Sequence, residues 1–132
     1  MVGETDLTAL LASMSPVLLD DEYVFCSVQG QYGYYQNLSP LATFRESEGL
    51  TLVLTKAAAI EAGLSFESVF KGITLTVHSS LDAVGLTAAV ANKLTEKGIS
   101  ANVIAAYYHD HIFVQTEKAA LAIEALNEFV ND

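Results

Sequence analysis

Asp82-Ala83-Val84-Gly85-Leu86 and Lys97-Gly98-Ile99-Ser100-Ala101-Asn102-Val103 bracket the stretch whose reading decides the fold. Residues 72–78 are strand-like, Asp82 is placed to cap a helix start, and Leu86, Val90 and Leu94 then recur at helical spacing over 84–97. Gly98 stops that helix, because glycine just past a helix end takes the left-handed conformation without a steric penalty. Two strands follow, 101–107 and 111–115, in a hairpin that carries Tyr107-Tyr108-His109-Asp110-His111. Thr116 leads into a last helix striped by Ala119, Ala122, Ile123, Leu126, Phe129 and Val130.

Upstream, the same order is legible. Thr5 or Asp6 caps a helix with Leu7, Leu10, Leu11 and Met14 on one face, and Pro16 limits it. A strand over 22–28 is followed by a Gly/Tyr/Gln-rich loop over 29–40. A hairpin of 43–46 and 50–54 turns near Ser47-Glu48-Gly49, and a short helix runs from its Thr55 cap to Gly63. Leu7-Thr8-Ala9 echoes Leu86-Thr87-Ala88, and Thr55-Lys56-Ala57-Ala58 echoes the segment from Thr116 to Ala120, with about 18 extra residues in the first half. The pattern predicts two halves, 1–66 and 67–132, in an α+β, ferredoxin-like βαββαβ class with an antiparallel sheet and helices on one face. The first half shows no leading strand and the second ends on a helix, so the halves share strands or a second subunit completes the sheet.

Composition narrows the function classes. At 132 residues and 52% hydrophobic, the chain can bury a sizeable core. A formal charge of −10, from 16 acidic against 6 basic residues, repels phosphate backbones and anionic headgroups, so neither nucleic acid nor a membrane is an expected partner. No apolar run approaches the roughly 18 residues of a membrane span, no basic and apolar leader opens the chain, and a cytoplasmic location is expected. Cys26, the single cysteine, lies in the apolar run 23–28 and reads as a buried, inert thiol. No Gly-x-Ser-x-Gly elbow, Walker loop or Gly-x-Gly-x-x-Gly turn occurs, and no catalytic role is expected.

The Asp82 to Leu86 turn and the Gly98-Ile99 exit into a strand resemble the ACT domain, a small βαββαβ regulatory module, over about residues 70–130. Arg45-Glu46-Ser47-Glu48-Gly49-Leu50-Thr51 is similar to the hairpin of tandem ACT proteins, including the modules of aspartate kinases and cytosolic arginine sensors. The resemblance implies a non-catalytic module that binds a small effector, commonly an amino acid, between paired modules and passes the signal to an enzyme or partner. The incomplete sheet and the long tyrosine loop favour a homodimer, and no cofactor is expected. In the arginine-sensing relatives an acidic residue followed by His occupies the matching hairpin place and helps hold the ligand, which implies a ligand-binding role for Asp110, with His109 before it.

Physical chemistry singles out the same residues. Ser79, Ser80, Leu81, Asp82, Val84 and Gly85 form a strand-to-helix loop whose unpaired N–H groups and helix dipole favour a carboxylate. Alternatively, Asp82 only caps the helix and Gly85 only relieves packing. Asp110 can accept from an ammonium, or is an ordinary turn aspartate. His109 and His111 lie two apart, yet with three histidines in all and no paired ligand motif they predict no metal. Tyr32, Tyr34 and Tyr35 give the long loop the composition of either a lid or a surface contact. A module with a vestigial pocket, acting only through protein contacts, is the alternative to an effector-binding one.

Overall fold

A computed structural model describes residues 6–76 and 85–131. In chain order the elements are α1 (Leu7–Ser13), β1 (Pro16–Val28), two single-turn 3₁₀ helices (Tyr32–Tyr34 and Gln36–Leu38), β2 (Ala42–Glu46), β3 (Gly49–Thr55) and α2 (Lys56–Glu61). β4 (Phe70–Leu75), α3 (Leu86–Glu96), β5 (Asn102–Ala105), β6 (Asp110–Gln115), a 3₁₀ turn (Thr116–Lys118) and α4 (Ala119–Asn131) complete them. The fold is α+β and ferredoxin-like, with antiparallel strands, as the hydrophobic pattern predicts. The chain divides into two compact units, Met1–Leu19 with Lys71–Asp132, and Asp20–Phe70.

The discontinuous unit lays its strands in the order β1, β4, β6, β5, with β1 entering through residues 16–19. Counted from β4, that is the fourth, first, third and second strand of a ferredoxin-like module, so the N-terminal segment supplies the strand that would otherwise follow α4. Ser15 carbonyl accepts from the Thr76 amide at 3.0 Å and from the Thr76 hydroxyl at 2.6 Å, and so fixes the register. β5 pairs antiparallel with β6, Val103 opposite Ile112. On one face, Ile73, Leu75, Ile112 and Val114 meet Leu86, Val90 and Leu94 of α3 and Ala122, Ala125 and Leu126 of α4. Leu10 and Met14, at 0% and 1% exposure, bring α1 into the same core.

Helix boundaries here have local causes. Asp6 caps α1 by accepting from the Thr8 amide at 3.0 Å. α3 stops as expected at Gly98, where the Ile99 amide returns to the Leu94 carbonyl at 2.9 Å and Ile99 tucks into the core. Glu128 of α4 clamps α3 through Lys93 at 3.1 Å and Lys97 at 3.2 Å, and those two ammonium groups hold its carboxyl below the ordinary carboxylate range.

The continuous unit has the order β2, β3, β1 and ends at Phe70, the first residue of β4. Val24, Cys26 and Val28 face Leu54, Leu52 and Leu50 across the β1–β3 pair, and Ala59 of α2 closes the core. Thr55 caps α2 by accepting from the Ala58 amide at 3.1 Å. Cys26 is buried and its thiol is pushed up by that burial, which suppresses the reactive thiolate. Where a ferredoxin-like module carries its first helix, between its first two strands, this unit has the two 3₁₀ turns. Tyr35 and Leu38 from those turns pack on the core in its place.

Two differences from the sequence reading matter for the site. β1 starts at Pro16 rather than Glu22, so the leading strand is present and is the longest among the described residues. The Thr55 and Thr116 echoes mark equivalent helix starts, but the Leu7 and Leu86 echo does not. α1 packs against α3 and α4, and the segment standing where α3 stands in its own unit is the loop after β1.

Leu10→Ala removes a fully buried side chain from the core of the discontinuous unit and should cost about 2–5 kcal/mol. Urea denaturation followed by far-ultraviolet circular dichroism reads this directly; unchanged stability would detach α1 from that core.

Candidate functional site

α3 begins on Gly85, which sits at the N-cap with φ +96 and ψ −14 and offers no side-chain cap. A left-handed cap of this kind suits glycine, and a Cβ there would also approach Leu7 Cδ2 to 3.2 Å. The first intrahelical bond runs from the Ala89 amide to the Gly85 carbonyl at 2.9 Å. Ahead of it, the N–H groups of Leu86, Thr87 and Ala88 point out of the helix start with no intrahelical acceptor. Asp82, expected as the cap, lies outside the described residues together with Ser79, Ser80, Leu81 and Val84.

The hairpin reaches this helix start. Asp110 opens β6 opposite Ala105, and its Oδ2 accepts from the Thr87 hydroxyl at 3.4 Å. A carboxylate beside the positive end of a helix is electrostatically favoured there. The hairpin turn is closed by the Ala106 amide on the His109 carbonyl at 3.1 Å. Of the expected site residues, the structure therefore brings Gly85 and Asp110 to the same end of one unit. His109 borders Asp110, and its Nδ1 is buried without a hydrogen-bond partner among the described residues.

Sequence reading missed two neighbours, Thr87 and Thr74. Thr87 is the hydroxyl that meets Asp110, a contact across 23 residues that no local spacing signals. Tyr107, expected at a strand end, lies with Tyr108 in the turn, both largely exposed and edge to face with ring centroids 4.9 Å apart. Thr74 of β4 holds His111 Nδ1 at 3.0 Å on the sheet face opposite the Ile112 and Val114 core. Among the described residues no three His, Cys, Asp or Glu side chains converge as metal ligands.

A second concavity lies in the continuous unit, over β2 and β3. It is a cleft of about 780 Å³ lined by Gly30, Gln31, Tyr32, Gly33, Thr43, Arg45 and Leu50. Its loop wall is tied down. Gln29 Nε2 donates to the Glu48 carbonyl at 2.9 Å, the Tyr35 hydroxyl bonds the Gln29 carbonyl, and the Leu41 amide bonds the Val53 carbonyl at 2.7 Å.

Residues 2–71 and again residues 67–128 match profiles of the ACT domain. The chain belongs to the ACT-domain family, a class of regulatory, ligand-binding and non-catalytic modules. A Vibrio cholerae crystal structure, described as a protein of unknown function and possible transport protein, is 62% identical over 94% of this chain and 95% of its own, with a TM-score of 0.88. The regulatory subunit of aspartate kinase from Thermus thermophilus shares the fold at 11% identity and a TM-score of 0.59, over 86% of this chain and 95% of its own. Escherichia coli aspartokinase III, solved with aspartate and ADP, matches 93% of this chain with 34% of its own at 12% identity and a TM-score of 0.65. No curated protein sequence matches the chain. No helix among the described residues is long and apolar enough to cross a membrane.

The site carries a pH signature through His111. Burial lowers its imidazole below the ordinary 6.5, nearby His109 lowers it further, and Asp110 opposes both. The unfolded chain then takes up the proton first, so this contribution to stability is complete above about pH 6.5. It is lost as pH falls from there through the lowered folded value. Against a His111→Asn variant, the wild type should lose urea resistance between about pH 7 and pH 5; parallel profiles would refute a lowered folded value.

Proposed function

We propose that this chain is a non-catalytic sensor that binds a small amino acid at the start of α3 and signals through ligand-linked assembly or contact with a regulated enzyme. The observation that carries this reading is the Asp110 carboxylate beside the first turn of α3, which no side chain caps among the described residues. A zwitterion needs opposite partners a few ångströms apart. The helix N–H groups suit its carboxylate, and Asp110, with His109 at its shoulder, suits its ammonium. Ser79, Ser80, Leu81, Asp82, Val84 and Gly85 are the loop that would complete the pocket. The fold shared with regulatory parts of aspartate kinases supports the amino-acid class.

The same reading takes the modules as 1–66 and 67–132, supported by the matched ranges, with a homodimer as the assembling species. It places the protein in the cytoplasm, where a lone buried thiol such as Cys26 stays reduced. One observation favours the competing reading of a vestigial pocket in a purely structural module: the Thr87 hydroxyl already partners Asp110.

A thermal-shift screen over the twenty amino acids separates the two. A true effector at about 100 times its dissociation constant should add about 2.7 kcal/mol of stability, and Asp110→Asn should then weaken it roughly ten- to hundredfold. Absence of any shift at millimolar concentration would leave the structural module, and an unchanged affinity in the variant would remove Asp110 from the site.

A further inference from the structure

From the cleft beside Arg45 we infer a second small-molecule site, built for a small monocarboxylate with a hydroxyl- or amide-bearing body. Four observations converge on it. Arg45 is the sole arginine of a chain carrying −10, and it lines the cleft from β2. Among the described residues its guanidinium makes neither a hydrogen bond nor an ion pair, whereas Lys56, Lys93 and Lys97 are all matched to carboxylates. An arginine left unmatched amid such an excess of acid is a free fork-shaped donor set, the geometry that takes a carboxylate through two parallel hydrogen bonds.

Secondly, the walls are polar on both sides of that fork. The Thr43 hydroxyl comes from the same strand, while the Gln31 amide and the Tyr32 phenol come from the loop. Gly30 and Gly33 keep the loop backbone bare. Gly30 stands at φ +102, and a Cβ there would strike the Tyr34 ring at 2.8 Å, so the loop's path depends on the missing side chain. Thirdly, the loop is fastened at both ends by the Gln29, Tyr35 and Leu41 bonds, which makes the cleft a standing feature. Fourthly, its volume of about 780 Å³ lies within the usual range of roughly 300–1,000 Å³ for ligand pockets.

The charge arithmetic chooses the ligand class. The lining holds one cation, and the whole chain is strongly acidic, so a dianionic phosphate would meet half-compensated charge where a monocarboxylate is fully matched. This site is independent of the α3 start. Only two single-turn 3₁₀ helices follow β1 in this unit, too short for a helix-dipole site, and the guanidinium supplies the positive charge instead.

The test is a titration of the isotope-labelled full chain with lactate, lactamide and inorganic phosphate, followed by the backbone amide signals of Gly30, Gly33 and Thr43. Lactate should give saturable shifts with a dissociation constant of roughly millimolar order, and uncharged lactamide should give none. Arg45→Gln, on an exposed strand position, should fold normally and weaken lactate about tenfold or more. Asp110→Asn should leave these shifts unchanged, which keeps this result separate from the outcome at α3. No saturable shift with lactate, an equal response to lactamide, or an unaltered Arg45→Gln would overturn the site, and tighter binding of phosphate than of lactate would overturn the ligand class.

Discussion

Two hydrogen bonds from Thr76 to the carbonyl of Ser15 hold the N-terminal strand in place, and the discontinuous unit depends on them. Without residues 16–19 the β4 edge would present a row of unpaired backbone groups, the commonest liability of a small sheet. Filling that edge also decides where α1 goes. A strand seated beside β4 draws the preceding helix over the sheet, where Leu10 and Met14 are sealed between α3 and α4. Leu7 then lies 3.2 Å from the point where Gly85 would carry a Cβ, so the helix start that faces Asp110 is braced by the far end of the sequence.

Periodicity revealed the helices because their burial is one-sided: Leu86, Val90 and Leu94 are each at most 4% exposed, as their spacing predicts. Gly98, Thr55 and the two hairpins were legible for equally local reasons. The start of β1 was not. Asp20, Asp21 and Glu22 interrupt the apolar run, yet the strand passes straight through them because backbone pairing, unlike burial, leaves no mark on side-chain polarity. The echo of Leu7-Thr8-Ala9 in Leu86-Thr87-Ala88 misled in a related way. Both segments are helix starts, but which sheet a helix packs on is fixed by long-range contacts that a three-residue likeness does not contain.

The candidate site was half legible. Glycine at residue 85 and an acid in the hairpin are chemical signals, and the structure brings both to the mouth of one helix. The contact that joins them is through Thr87, a residue with no distinguishing spacing, and His111 spends its Nδ1 on Thr74 rather than on a neighbour in sequence. Tyr107 shows the opposite failure. Its place at a strand end is overruled by the short turn that the Ala106 and His109 backbone closes, leaving its ring and that of Tyr108 in solvent.

The two units differ in where positive charge can come from. The discontinuous unit has a helix after its first strand, and aligned peptide dipoles make the start of α3 positive without any basic side chain. The continuous unit has only 3₁₀ turns there, too short to sum a comparable dipole, so a positive site in it must come from a side chain. Strand alternation keeps that side chain available. Glu46, next to Arg45, projects to the other face of β2 and accepts from Thr51, while Glu48 is held at the turn by the Gln29 side chain on its carbonyl. Had either carboxylate shared the face of Arg45, the guanidinium would be neutralised and the cleft would carry no charge to offer a ligand. With only 3₁₀ turns after β1, the charge that would hold an anion in the proposed cleft comes from Arg45.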